Sequence, residues 1–512
     1  MIEDFRGADQ PVVETDLCII GGGAAGITLA TALAGTGLQC CVLESGGLAF
    51  DSDIQSLAEV EPRGLTRVEA CHLRFFGGST NHWGGWCAPL NEADFSPRSW
   101  VRRSGWPITK QELVPYYERA QSVCGLGPLR YTPEGLAGSD RGYGAFASSR
   151  LVTRFYQFTT PPLRFGAAHG PKLREAANIR VLLNANVVHL EANEGASRVE
   201  AARVQSLDGH TGRVHARHYV LACGGIENAR LLLLSDDRNP QGIGNESGLV
   251  GRCFMQHPHI ACGSVATADR AQAARLFDRL ETSSFTFQAS IGPSIAQQQR
   301  QGILNCSATL DRTADPVTGY GALRHIWRDI RAGTWPDDFG EKLWSVISDL
   351  DSLPGGRSLR SLFMRAEQAP DPDSRVSLSD ARDRLGLRKA VVDWRLSELD
   401  KRTLLVACKV IGAEFARSGF GRVQLAEWLT DAQGNWPDEL WGGCHHLGTT
   451  RMSDSPRSGV VDRNCRSHSV RNLFAAGGSV FPTAGYANPT LTLVALALRL
   501  ADHLETLHRS AT

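Results

Sequence analysis

The stretch "TDLCIIGGGAAGITLATALAGTGLQCCVLESGG", Thr15 to Gly47, decides the fold class. Leu17 to Ile20 is a short, β-rich apolar run, the composition of a buried strand. Gly21 to Gly26 spell GxGxxG and open an alanine-rich segment of good helix formers. Cys40 to Leu43 reads as a second strand ending at Glu44. In such a unit Gly21 makes the tight turn and Gly23 lets backbone N–H groups approach a pyrophosphate. Gly26 lets the helix close on the strand. Phosphates then sit at the positive end of the helix. Glu44 follows at close to the ~20 residues expected of a ribose-binding carboxylate. Strand, glycines, helix, strand and acid in this order predict a dinucleotide cradle in an α/β fold. They leave FAD and NAD both open.

Further along, "RFFGGSTNHWGGWCAPL" (Arg74 to Leu90) surrounds Asn81-His82-Trp83 with four glycines. Backbone that passes close to a large planar ligand needs such a density. Phe75, Phe76, Trp83 and Trp86 argue against a plain surface loop. "NIRVLLNANVVHLEA" and "RHYVLACGGIENARLLLLS" both read as strands, the first with Val187 at a strand end. The second runs through Ala222 into Gly224-Gly225 and a helix over 227–234. That unit suits either a crossing near the dinucleotide or an ordinary strand-to-helix turn.

From about residue 258 to 440 the character changes to short alternating runs. Tryptophans stand at 327, 335, 344, 394, 428, 436 and 441. Sugar-binding walls and buried core positions both fit them. A turn-rich segment flanks a short strand at Val376 to Leu378. After "GGCHHLGTTRM" (Gly442 to Met452), a strand over 472–476, the pair Gly477-Gly478 and a helix over 490–504 return the chain to a nucleotide-type sheet. Adjacent side chains on an extended chain point to opposite faces, so His445 and His446 are expected to have different neighbours.

The bulk numbers bound the rest. The chain has 512 residues, enough for two domains. Lys+Arg and Asp+Glu both total 54, which gives no support to nucleic-acid or anionic-membrane binding. The 13 cysteines form no CxxC pair, so buried free thiols are expected rather than a disulfide framework or an iron–sulfur cluster. The first residues lack a basic and an apolar signal region, and no apolar run spans a bilayer. A cytoplasmic enzyme is the default expectation.

Taken together, GGGAAG with Glu44, FGGSTNHWGG, HxxGTxxM from His445 to Met452 and AAGGSVFPTAGYANPTLT resemble the glucose–methanol–choline (GMC) oxidoreductases. The branch most similar is that of bacterial sugar and polyol oxidoreductases and pyranose oxidases. The resemblance implies a discontinuous Rossmann-type FAD-binding domain (residues 1–90, 170–257 and 441–512). A substrate domain of antiparallel sheet and helices (91–169 and 258–440) is inserted in it. It implies FAD contacts from Gly21, Gly23, Ala24, Ala25, Gly26, Glu44 and Ser45 on the ADP side, with Val187, Ala222 and Gly224 nearby. Gly78, Ser79, Asn81, His82, Trp83, Gly84, Gly477, Gly478, Asn488, Pro489 and Thr490 would line the flavin. His82 matches a histidine bonded covalently to flavin in pyranose oxidases, although Asn81 stands where those have Thr. His445 matches the family's base and Asn488 its partner. No metal is implied. The implied reaction oxidises a hydroxyl group of a sugar, glycoside or aminoglycoside-like polyol, with hydride transfer to flavin N5. The acceptor of the electrons is oxygen, a quinone or a carrier protein. Alternatives are a non-redox lyase of the same fold and oxidation of a non-sugar alcohol.

Overall fold

The computed structural model describes residues 1–7, 12–64, 71–133, 146, 148–281, 285–312, 358–431 and 435–511. Trp327, Trp335 and Trp344 lie outside the described residues.

The run "LCII" is the buried half of the strand Val12–Ile20, with all four side chains inaccessible. A parallel strand covered on both faces reads as such a continuous apolar run. It pairs in parallel with Cys40–Leu43 on one side and Thr211–Leu221 on the other. The first helix, Ala24–Leu33, starts directly after the glycine turn. A Cβ on Gly26 would stand 1.9 Å from the Gly21 carbonyl oxygen, so only glycine lets this helix lie on its strand.

Thr211–Leu221 is the strand that reunites the two ends of the chain. Its first half pairs antiparallel with Val199–Gln205; its last residues pair in parallel with Leu473–Ala475. The sheet is completed by Asn186–Ala192 beside Val199–Gln205 and by Ile179–Leu183 and Ile2–Asp4 beyond Cys40–Leu43. The C-terminal helix, Thr490–Ala511, packs against both Ala24–Leu33 and Lys110–Val123. It runs past the expected end at 504 because no glycine or proline stops it and Leu507 still reaches the core.

A second sheet is antiparallel. It contains Leu151–Phe158, Thr286–Pro293, Cys306–Arg312, Ser358–Ala366, His259–Thr267 and Gly421–Leu425. The long helix Glu398–Ser418 packs on this sheet through Leu404, Ala407, Ile411 and Phe415. A small third sheet joins Val60–Gly64, Arg388–Trp394 and Arg375–Arg382, the last a longer strand than the expected Val376 to Leu378.

The cysteine reading needs one correction. Eleven cysteines are free, but Cys71 and Cys444 form a disulfide across 373 residues of sequence. No local spacing announces such a bridge; it exists because the two loops meet in space.

Candidate active site

One cavity of about 590 Å³ runs from the glycine turn to the histidine pair. Its volume falls within the range of small-molecule sites. At one end it is bordered by Gly21, Gly23, Ala24, Ala25, Glu44 and Ser45. Val187, Ala222 and Gly224 follow, then the loop residues Gly78, Ser79, His82, Trp83 and Gly84. At the other end stand His445, Gly477, Gly478, Asn488, Pro489 and Thr490. Residues more than 400 positions apart thus share one wall. The strand–GG–helix unit, which the sequence left open, borders this cavity, and its helix begins already at Gly224.

Two of the expected contact residues do not border it. Gly26 lies beneath, where helix meets strand. Asn81 turns inward and donates through Nδ2 to the Phe76 carbonyl at 3.1 Å. It therefore shapes the loop that carries His82.

The cradle suits a dinucleotide. Glu44 accepts from the backbone N–H of Gly22 at 2.8 Å and of Gly46 at 2.9 Å, which fixes its carboxylate beside the turn. Around the cavity, both ring nitrogens of His72, Arg74 Nε and His446 Nε2 have no partner. Buried polar groups left so are costly unless a ligand or water meets them.

The turn that presents the histidines is constrained. Gly443 has φ 64°, and a Cβ there would stand 2.6 Å from the His259 ring. Cys444, tied to Cys71, has φ 60°, which is uncommon for a non-glycine residue. From this turn the rings diverge. His446 packs between His72 and Phe254, with centroids 5.9 and 5.7 Å away, and also borders the cavity. His445 faces His257 and His259, with centroids 4.8 and 5.5 Å away.

His257 and His259 escaped the sequence reading. Their signal is "HPH": two histidines two apart, entering a strand, lie on one face. His257 Nε2 lies 3.0 Å from the Gly485 carbonyl oxygen, and His257 Nδ1 lies 2.8 Å from His445 Nδ1. A carbonyl only accepts, so His257 Nε2 carries the proton. Burial pushes the His257 ring down to about 4, so it is neutral near pH 7 and its Nδ1 accepts. His445 Nδ1 therefore donates, and its Nε2 holds a lone pair. Asn488 Nδ2 faces that lone pair at 3.4 Å. Burial, then His257, His446 and Arg365, hold His445 well below the ordinary histidine value, so it too is neutral.

Such a cradle, joined in one cavity to a buried neutral histidine, is the arrangement of a dinucleotide-dependent oxidoreductase. Residues 370–497 match the family model described as GMC oxidoreductase. The chain is 25% identical to the fructose dehydrogenase large subunit of Gluconobacter japonicus, with 96% of this chain and 97% of that protein covered. It is 28% identical to paromamine 6'-oxidase of Streptomyces fradiae, with 95% and 90% covered. In fold it is similar to formate oxidase of Aspergillus oryzae, in a structure reporting FAD modification. There the TM-score is 0.59 at 16% identity, over 98% of this chain and 100% of the other. Its C-terminal part, residues 370–497, thus matches the GMC oxidoreductases, and the enzyme is an FAD-dependent oxidoreductase. No helix among the described residues is long and apolar enough to cross a membrane.

Proposed function

We propose that this enzyme oxidises a hydroxyl group of a sugar or related polyol to a carbonyl, with His445 as the base. The observation that carries the reading is the hydrogen-bonded series Gly485–His257–His445, which leaves His445 Nε2 unprotonated inside the cavity, beside Asn488. The named activities of the two relatives, on fructose and on paromamine, support a carbohydrate-like substrate.

Bound FAD supplies the two-electron acceptor for the hydrogen on the carbinol carbon. The chain's own residues handle the proton. His445 Nε2 takes it from the substrate hydroxyl. The 3.4 Å separation from Asn488 Nδ2 is long for a hydrogen bond, so this lone pair is open to a better donor. Asn488 can donate to the same hydroxyl oxygen as charge develops there, without titrating. His257 holds the ring in the tautomer this requires. The glycine-rich loop with Trp83 and the second sheet enclose the site.

A positioned base contributes ~10² to 10⁴ in rate. His445→Ala should therefore retain FAD and lose at least about two orders of magnitude in anaerobic flavin reduction by substrate. A variant that is yellow and turns over normally would remove His445 from the chemistry. Flavin that no alcohol reduces would instead point to the non-redox alternative.

A further inference from the structure

The reactive end of the cavity carries one charged side chain that the proton chemistry does not use. The charged residues bordering the cavity are Glu44, Arg74, Glu227 and Arg365. Glu44 is held by backbone N–H groups, and Arg74 pairs with Glu227 at 3.2 Å. Arg365 belongs to the other end. It stands on Ser358–Ala366 directly across from His259, whose ring lies 5.5 Å from that of His445.

The Arg365 guanidinium donates from Nη1 to Thr309 Oγ1 at 3.0 Å and makes no ion pair among the described residues. Trp86 and Phe363 lie against it, with ring centroids 4.7 and 4.9 Å away. Burial works against its charge; Tyr156 and Asp311 offset part of that, and Arg279 adds to it. Aromatic faces compensate a desolvated cation only in part. An unpaired guanidinium in a half-buried, aromatic-walled site is costly until an anion meets it.

We propose that Arg365 binds a carboxylate of the substrate, so that the polyol oxidised here is a sugar acid. The proposal rests on the reading of His445 as the base and names the substrate class of that same site. The planar fork of arginine matches the two oxygens of a carboxylate. A phosphate dianion would need a second free cation, and none borders this end among the described residues. A cationic amino sugar would set like charge against Arg365.

The test uses the FAD-loaded enzyme and matched pairs: aldonates against alditols, and uronates against methyl glycosides. The rate of anaerobic flavin bleaching gives kcat/KM for each member. Loss of one charge-assisted contact corresponds to roughly 10- to 100-fold. The acid of the best pair should exceed its neutral partner by about that factor, and Arg365→Gln should reduce the ratio by the same factor. Arg365→Lys, which keeps the charge without the fork, should fall between and serves if the glutamine variant fails to fold. A ratio near one in the unaltered enzyme, or one unchanged in Arg365→Gln, overturns the carboxylate and leaves the His445 reading standing. Bleaching by no member of any pair overturns both.

Discussion

Replacing His257 with leucine isolates what the tautomer of His445 contributes. The change puts an apolar side chain of comparable bulk in its place and deletes the acceptor that lies 2.8 Å from His445 Nδ1. A buried N–H left without an acceptor costs about 1–3 kcal/mol. His445 escapes that cost by moving its proton to Nε2, where the side-chain oxygen of Asn488 can accept it once the amide turns over. That ring offers the substrate an N–H instead of a lone pair. The competent tautomer should fall by a factor of ~5 to 150, and kcat with it, while KM changes little. His257→Asn places Oδ1 where Nδ1 stood and should recover most of the rate. The assay is single-turnover flavin reduction on variants matched for flavin per chain, with nitrogen NMR of the histidine rings to read the tautomer directly. A leucine variant that reduces its flavin at the original rate would refute the reasoning. So would an asparagine variant as slow as the leucine one, because asparagine restores the acceptor that leucine lacks.

Three further outcomes can be measured. Gly26→Ala drives a Cβ into the Gly21 carbonyl, so the helix must lift from its strand and the purified protein should lose most of its FAD; a stoichiometrically yellow variant would contradict the cradle geometry. Cys71→Ser removes the tie between the first loop and the His445 turn and should cost about 2–4 kcal/mol, read as a lower denaturation midpoint that no longer responds to reductant. The third outcome concerns acid. Burial holds His257 at about 4 and His446 at about 3, so the unfolded chain takes up their protons first as pH falls. Stability from these two is intact above ~6.5 and declines below it, by about 1.4 kcal/mol per pH unit for each ring. Asp400, raised to about 6 by burial, works in the opposite sense and cancels about one ring. His259 and His445, also held low, add to the loss. A melting temperature that stays flat from neutral pH to about 5 would contradict this balance.

Much of the architecture could be read from short-range physics. The glycine turn, its helix and the strands around it are local structures, because each depends on residue type within a few positions. Thus Leu17 to Ile20 and Cys40 to Leu43 could be placed as strands from their apolar runs, and the helix after Gly26 from its alanines. The C-terminal residues that border the cavity, Gly477, Gly478, Asn488, Pro489 and Thr490, are legible for the same reason and through resemblance to a family. Helix starts were less legible. The helix at Gly224 begins three residues early because Asn228 Oδ1 accepts from the Cys223 N–H at 2.8 Å, a contact that composition does not reveal.

The sequence by itself offered a dinucleotide cradle on a glycine turn near the N-terminus and, through a family resemblance, one of two adjacent histidines as the candidate base. Only the tertiary structure decided the state of that base. His257 lies 188 positions from His445 and Arg365 stands on a different sheet from the cradle, yet they set its tautomer and the charge beside it. The disulfide partner of Cys444 is likewise 373 residues away. Protonation and charge depend on which atoms share a water-poor space, and that is fixed when strands from distant parts of the chain pair, not by the order of residues along it.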